Sequence, residues 1–218
     1  WNNAGTGHSG FAELNYTPQL PDGSVETKRA VGIAEQFEVT RQFWAHQVGR
    51  GHLQSPETFV NATPHMSFVW GDDNIAFLKK RHAALQHSSL FRGMEYSEDP
   101  EQIKQWVPLV MEGRAPTTVA ATMGMGTEVN FGQLARNLCA WLARQENCGV
   151  ATGWKVTQLQ RGAGEWHLTM KCQTSGETRK HRAKFVFVGA GGGSLPLLLS
   201  TGLAEVAGLG AFPVGGQW

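Results

Sequence analysis

An apolar run that ends in a glycine cluster is the feature that most narrows the fold. Lys184-Phe-Val-Phe-Val188 carries apolar side chains on both faces, as a strand buried inside a sheet does. It feeds Gly189-Ala-Gly-Gly-Gly193 and then an apolar helix, Leu195 to Ser200. Strand, glycine turn and helix in that order are the context that a nucleotide-binding turn needs. Glycine in such a turn lets the backbone approach a ligand. The match to a primary dinucleotide-binding turn is incomplete. Ser194 stands where Gly or Ala is wanted, and no acidic residue closes a second strand about 20 residues on, Glu205 being too near. The run therefore reads as a secondary turn that passes a cofactor. Close strand–helix packing through glycine is the alternative.

Three strands are expected here, over 154 to 160, 165 to 173 and 180 to 188, joined by glycine-rich or Ser-Gly turns. Upstream, helical spacing dominates. Ser24 is placed to cap a helix running to about Val48, with Ala30, Ile33, Phe37, Trp44 and Val48 on its apolar side, and with Gly49 and Gly51 to end it. Residues 58 to 70 read as extended, broken by Pro64. Asp72 or Asp73 is placed to cap a second helix to about Ser88. Asp99-Pro100-Glu101-Gln102 reads as a third helix start, with Asp99 at the N-cap, Pro100 at the first helical position and Gln102 closing a capping box. Asn130 is the expected cap of a fourth helix with the stripe Leu134, Leu138, Trp141 and Leu142.

Gly5-Thr-Gly-His-Ser-Gly10 matches GxGxxG by letter, but only Trp-Asn-Asn-Ala precedes it and no helical pattern follows directly. It reads as a loop whose backbone meets a ligand, with Asn3, His8 and Ser9 offering polar groups; a plain flexible loop is the alternative. Of the eight histidines none pairs in a zinc-protease pattern, and no GxSxG elbow occurs. His8, inside the glycine loop, and His65, between Pro64 and Met66, are the two singled out. Cys139, Cys148 and Cys172 form no CxxC pair, so no metal site is expected, and reduced thiols in a cytoplasmic setting are. Cys139 is expected in the core. A net charge of +1 gives no footprint for nucleic acid. The basic cluster Arg179, Lys180, His181, Arg182 and Lys184 reads as a solvated strand end. The longest apolar stretch is too short to span a bilayer, so membrane contact is expected to be peripheral.

Several longer blocks carry a resemblance. Trp1-Asn-Asn-Ala-Gly-Thr-Gly-His-Ser9, Glu13-Leu-Asn-Tyr-Thr-Pro18, Arg41-Gln-Phe-Trp-Ala-His46, Pro64-His-Met-Ser-Phe-Val-Trp-Gly71 and Ser89-Leu-Phe-Arg-Gly-Met94 come first. Pro108 to Arg114, Gly126 to Gly132, Lys184 to Gly192 and Phe212 to Gln217 follow in the same order. Over nearly its whole length the chain resembles the malate:quinone oxidoreductases, FAD enzymes of the group that includes D-amino-acid oxidase and L-2-hydroxyglutarate oxidase. The resemblance implies an α/β fold, with a partial Rossmann-like FAD-binding domain interleaved with part of an α+β substrate domain. It places residues 1–52 as a flavin-contacting loop and helix, 53–125 in the substrate domain, 126–200 in the FAD domain, and 201–218 at the start of a further substrate-domain segment. The chain is expected to be an internal piece of a longer protein, without the primary GxGxxG turn, and to hold FAD poorly by itself.

Carried over, Asn3, Ala4, Gly5, Thr6, Gly7, His8 and Ser9 would wrap the pyrophosphate and flavin ring through backbone amides. Val156 would contact adenine through its main chain. Gly189, Ala190 and Gly191 would form the second glycine turn. The implied reaction oxidises L-malate to oxaloacetate in the tricarboxylic acid cycle, with a membrane quinone as final acceptor, on the cytoplasmic face of the cell membrane. Such chemistry needs a base near neutral pH, for which His8 is the first candidate and His65 the second. Arg41 interrupts its apolar stripe and is a candidate for a malate carboxylate, against a surface role over its helix. A related 2-hydroxyacid oxidase, such as an L-2-hydroxyglutarate oxidase, and a non-catalytic fragment are the competing readings.

Overall fold

The computed structural model describes residues 5–7, 9–11, 13–114 and 118–210. Asn3, Ala4 and His8, three of the expected site residues, lie outside the described residues. Helix and strand are mixed along the chain, consistent with the expected α/β class. Two compact units divide it, Trp1–Cys148 and Gly149–Trp218.

The first unit begins with the short strand β1, Thr6–Gly7, and a loop leading to helix α1, Lys28–Gly49. Ser24 does not cap α1. Its N–H and hydroxyl both donate to Asp22 Oδ1 (2.9 and 2.6 Å), closing a turn around Gly23. Glu26 Oε1 accepts from Lys28 N at 2.6 Å, and the N-cap is Thr27, three residues later than expected. Strand β2, Val60–Trp70, runs unbroken through Pro64. It pairs only with β4 among the described residues, so the missing proline N–H is tolerated on its other edge. Helix α2, Asp72–Leu85, is capped by Gly71 at φ +83°, with Asp72 and Asp73 inside its first turn, where they complement the helix dipole.

Strand β3, Glu95–Ser97, precedes helix α3, Pro100–Trp106. Asp99 caps α3 as expected, accepting from Glu101 N at 3.0 Å. The capping box does not close: Asp99 N–H donates to Ser97 Oγ, not to Gln102. Helix α4, Pro108–Met111, follows with proline at its start. Strand β4, Val119–Val129, then forms the centre of the sheet, in the order β1-β4-β2 with β3 also on β4, all antiparallel. Nothing in the sequence reading anticipates this strand. Helix α5, Phe131–Leu142, is capped by Asn130, whose Oδ1 accepts from Gln133 N at 2.9 Å. Leu134 is buried and Leu138 packs beside it, but Leu142 and Cys139 are exposed, correcting the expected stripe end and the expected core cysteine.

Apolar clusters bind these elements together. Ala30 and Ala34 of α1 pack with Leu85, Phe91 and Met94. Phe37 and Trp44, further along α1, pack with Phe59, Val129 and Leu134. Val69 and Ala120 pack under Leu78 of α2, while Val119 and Ala121 meet Ile103 of α3 on the opposite face. The period-two alternation of β4 thus fixes which face each helix covers.

The second unit holds the antiparallel meander β5 (Trp154–Arg161), β6 (Trp166–Cys172) and β7 (Thr178–Ala183). The third expected strand stops early. Its ladder ends where Ala183 meets Trp166, the first residue of β6, and residues 184 to 188 have no strand partner among the described residues. Phe185 and Phe187 are 77% and 84% exposed, so the buried central strand read from the sequence is not buried within this chain. Helix α6, Ser194–Leu199, follows, and a single 3-10 turn, Ala204–Val206, comes after it.

Candidate functional site

Register builds the first cleft. Thr6 pairs with Glu128 and Gly7 with Thr127, which sets the glycine loop against one end of β4. Gly5 adopts φ +68° and its carbonyl accepts from Val129 N, tightening the loop onto the strand. A cavity of about 360 Å³ opens there, lined by Gly5, Thr6, Gly7, Ser9, Thr63, His65 and the Gly126–Glu128 stretch. Four of the expected cofactor-contacting residues (Gly5, Thr6, Gly7 and Ser9) are therefore brought together with His65.

Close packing explains the glycines. A Cβ on Gly7 would lie 2.7 Å from Phe37 Cζ and 2.8 Å from Thr127 Cβ. On Gly126 it would lie 3.0 Å from His65 Cβ. These positions let the loop and the His65 strand approach without side chains between them. His65 is opposite Gly124, and the Phe11 ring packs over that glycine, 3.3 Å from where a Cβ would stand. Phe11 also tilts against His65, with ring centroids 6.4 Å apart, and meets Phe91 edge-on at 5.1 Å.

Arg41 occupies a different cavity, of about 340 Å³, with Phe11, Phe37, Ala62 and Met125 in its walls. The two cavities share Ser9, Gly126 and Thr127 in their linings. Arg41 donates to Glu38 Oε1 at 2.7 Å, and both side chains are largely solvated.

In the second unit, a cavity of about 490 Å³ lies between the meander and the segment after it. Val156, Gly189 and Ala190, named separately in the sequence, line it together with Trp154, Leu168 and Phe187. Gly191 adopts φ +54° with no atom within 4 Å of a Cβ position, leaving open space over the turn.

Phe11, Thr63, Gly126 and Thr127 also line these cavities and were not among the expected site residues. Alternate glycines in Met123-Gly-Met-Gly126 were the available signal, since they leave one face of a strand bare. A cleft walled by glycines and small residues leaves main-chain amides open to a flat or phosphorylated ligand.

Comparison with known proteins gives the family. The sequence profile described as malate:quinone oxidoreductase matches residues 1–218. The chain is 59% identical to a protein of Stenotrophomonas maltophilia (strain K279a) named "Probable malate:quinone oxidoreductase", covering 100% of this chain and 39% of that protein. It is 57% identical to "Probable malate:quinone oxidoreductase 1" of Pseudomonas aeruginosa, covering 100% of this chain and 42% of that protein. A similarly named protein of Serratia proteamaculans is 54% identical, with the same coverage of both chains. The chain belongs to the malate:quinone oxidoreductase family. It spans about two-fifths of the length of the curated relatives it matches. Among the described residues no helix is long and apolar enough to cross a membrane.

Proposed function

We propose that this chain is part of an FAD enzyme that oxidises L-malate to oxaloacetate and delivers the electrons to a membrane quinone. One observation carries the reading: in a chain whose relatives bear that name, a glycine-walled cleft sets Gly5, Thr6, Gly7 and Ser9 beside His65. Residues and ligand are chemically matched. The first cavity offers backbone amides with Ser, Thr and His side chains, which suit a flavin ring edge or pyrophosphate. The second offers aromatic and aliphatic walls beside a glycine turn, which suit an adenine and ribose. Residues 3–9 would hold the flavin end; Val156 and Gly189–Gly191 would hold the adenosine end. FAD, when bound, supplies the hydride acceptor.

The rest of the reaction falls to side chains. A neutral imidazole takes the proton of the malate 2-hydroxyl. His8 and His65 are the candidates, and His65 is the one whose surroundings support an argument. Arg41 pairs with a substrate carboxylate, exchanging Glu38 for it. Arginine suits this because its planar fork matches a carboxylate. Residues 1–52 and 126–200 belong to a Rossmann-like FAD domain, with 53–125 and 201–218 in the substrate domain. The exposed run 184–188 is where a strand from the remainder of the protein pairs. The enzyme works peripherally at the inner face of the cell membrane.

The test is steady-state assay of the full-length protein with a quinone analogue. Malate is expected to be oxidised and the protein to show a visible flavin band. Preference for 2-hydroxyglutarate, or a colourless protein, would overturn the reading.

A further inference from the structure

Arg81, in α2, is the largest fully buried side chain among the described residues, at 0% exposure, and no role has been assigned to it so far. Burial lowers its pKa to about 10, which still leaves it charged at physiological pH. No carboxylate pairs with it among the described residues. Its Nε donates to Thr17 Oγ1 at 2.9 Å and its Nη2 to the Phe11 carbonyl at 3.3 Å, while Nη1 is buried with no hydrogen-bond partner among the described residues. Thr17 is itself fully buried, and its hydroxyl proton is committed to Leu14 O at 2.8 Å, so it accepts from the guanidinium.

A buried charge without a counter-charge is costly, and an apolar side chain of the same volume commonly stabilises a core better. What an apolar residue cannot do is grip both ends of the 11–17 segment at once. That grip holds Phe11, whose ring is wedged between His65, Phe91 and the bare backbone of Gly124. Phe11 is also a wall of the Arg41 cavity. One ring therefore touches the imidazole on one side and the carboxylate cavity on the other.

We propose that Arg81 is a positioning residue: acting through Phe11, it fixes the His65 ring relative to the substrate. The inference rests on the malate-oxidising reading above. It is tested in the full-length flavoprotein by a double-mutant cycle of Arg81→Met and Phe11→Ala, reading the rate of anaerobic flavin reduction by malate. Each single variant is expected to slow reduction by roughly 10- to 100-fold with flavin content unchanged, as a misplaced reacting group does. The double variant is expected to be no slower than Phe11→Ala alone, because both changes break one link. Arg81→Lys keeps the charge but not the two-pronged donation; it is expected to be slow too, and it replaces Arg81→Met in the cycle should that variant fail to fold. Wild-type rates in the Arg81 variants, or effects that multiply, overturn the proposal. An unmutated protein that malate cannot reduce would instead overturn the functional reading itself.

Discussion

Gly10 and Gly32 give opposite expectations for the same substitution. Gly10 adopts φ +79°, and an added Cβ would stand 2.5 Å from the carbonyl oxygen of Ala30. Ala30 is fully buried in the first turns of α1, so the contact cannot be relieved without moving the helix. Alanine in a left-handed conformation costs roughly 1–2 kcal/mol. Overpacking against fixed backbone adds roughly 1–3 kcal/mol. Gly10→Ala is therefore expected to destabilise by about 2–5 kcal/mol. Gly32 lies inside α1 with no atom within 4 Å of its Cβ position. Gly32→Ala removes the helix penalty of glycine and is expected to stabilise by up to about 1 kcal/mol. Urea unfolding of the full-length protein, followed by tryptophan fluorescence with Trp44 buried beside α5, ranks the variants. The expected order is Gly32→Ala, wild type, Gly10→Ala. A Gly10→Ala midpoint equal to wild type would refute the argument that the loop is held in contact with α1.

Two further outcomes follow from local chemistry. Hydrogen bonds from Ser175, through its side chain and backbone, and from Thr174 lower the Cys172 thiol to about 6. At pH 7 it is therefore mostly thiolate, and alkylation mapped by mass spectrometry should modify Cys172 faster than Cys148, slowing as pH falls through about 6; equal rates would refute this. Asn130→Ala removes the side chain that accepts from Gln133 N and should cost about 1 kcal/mol, measured by the same urea titration, with Asn130→Asp near wild type.

Local signals carried much of the fold. Asn130 and Asp99 are short polar residues directly ahead of helical stripes, and both cap as their spacing implies. Ser24 misled because Asp22, two residues earlier, satisfies it within a turn. Strand β4 was illegible because Ala, Gly and Met have little strand preference, although its position at the centre of the sheet overrides that preference. The segment 184–188 reads as a buried strand because of its composition, but burial also needs neighbours that composition does not supply.

The site was legible in parts. The glycine loop and His65 stand out by residue type, and β2–β4 register brings them to one cavity. Val156 and Gly189 are named by resemblance, and the fold of the second unit places them in one cavity. Arg81 and Phe11 had no sequence signal at all. They are 70 residues apart, and only the packing of α2 over the 11–17 segment joins them.

The most direct measurement of the central claim is anaerobic reduction of the flavin by malate in the full-length His65→Gln protein. Loss of the proposed proton acceptor should slow the bleaching of the visible band by about 100-fold or more, with flavin content and spectrum retained. Reduction at the wild-type rate would contradict the assignment of His65 to the reacting centre.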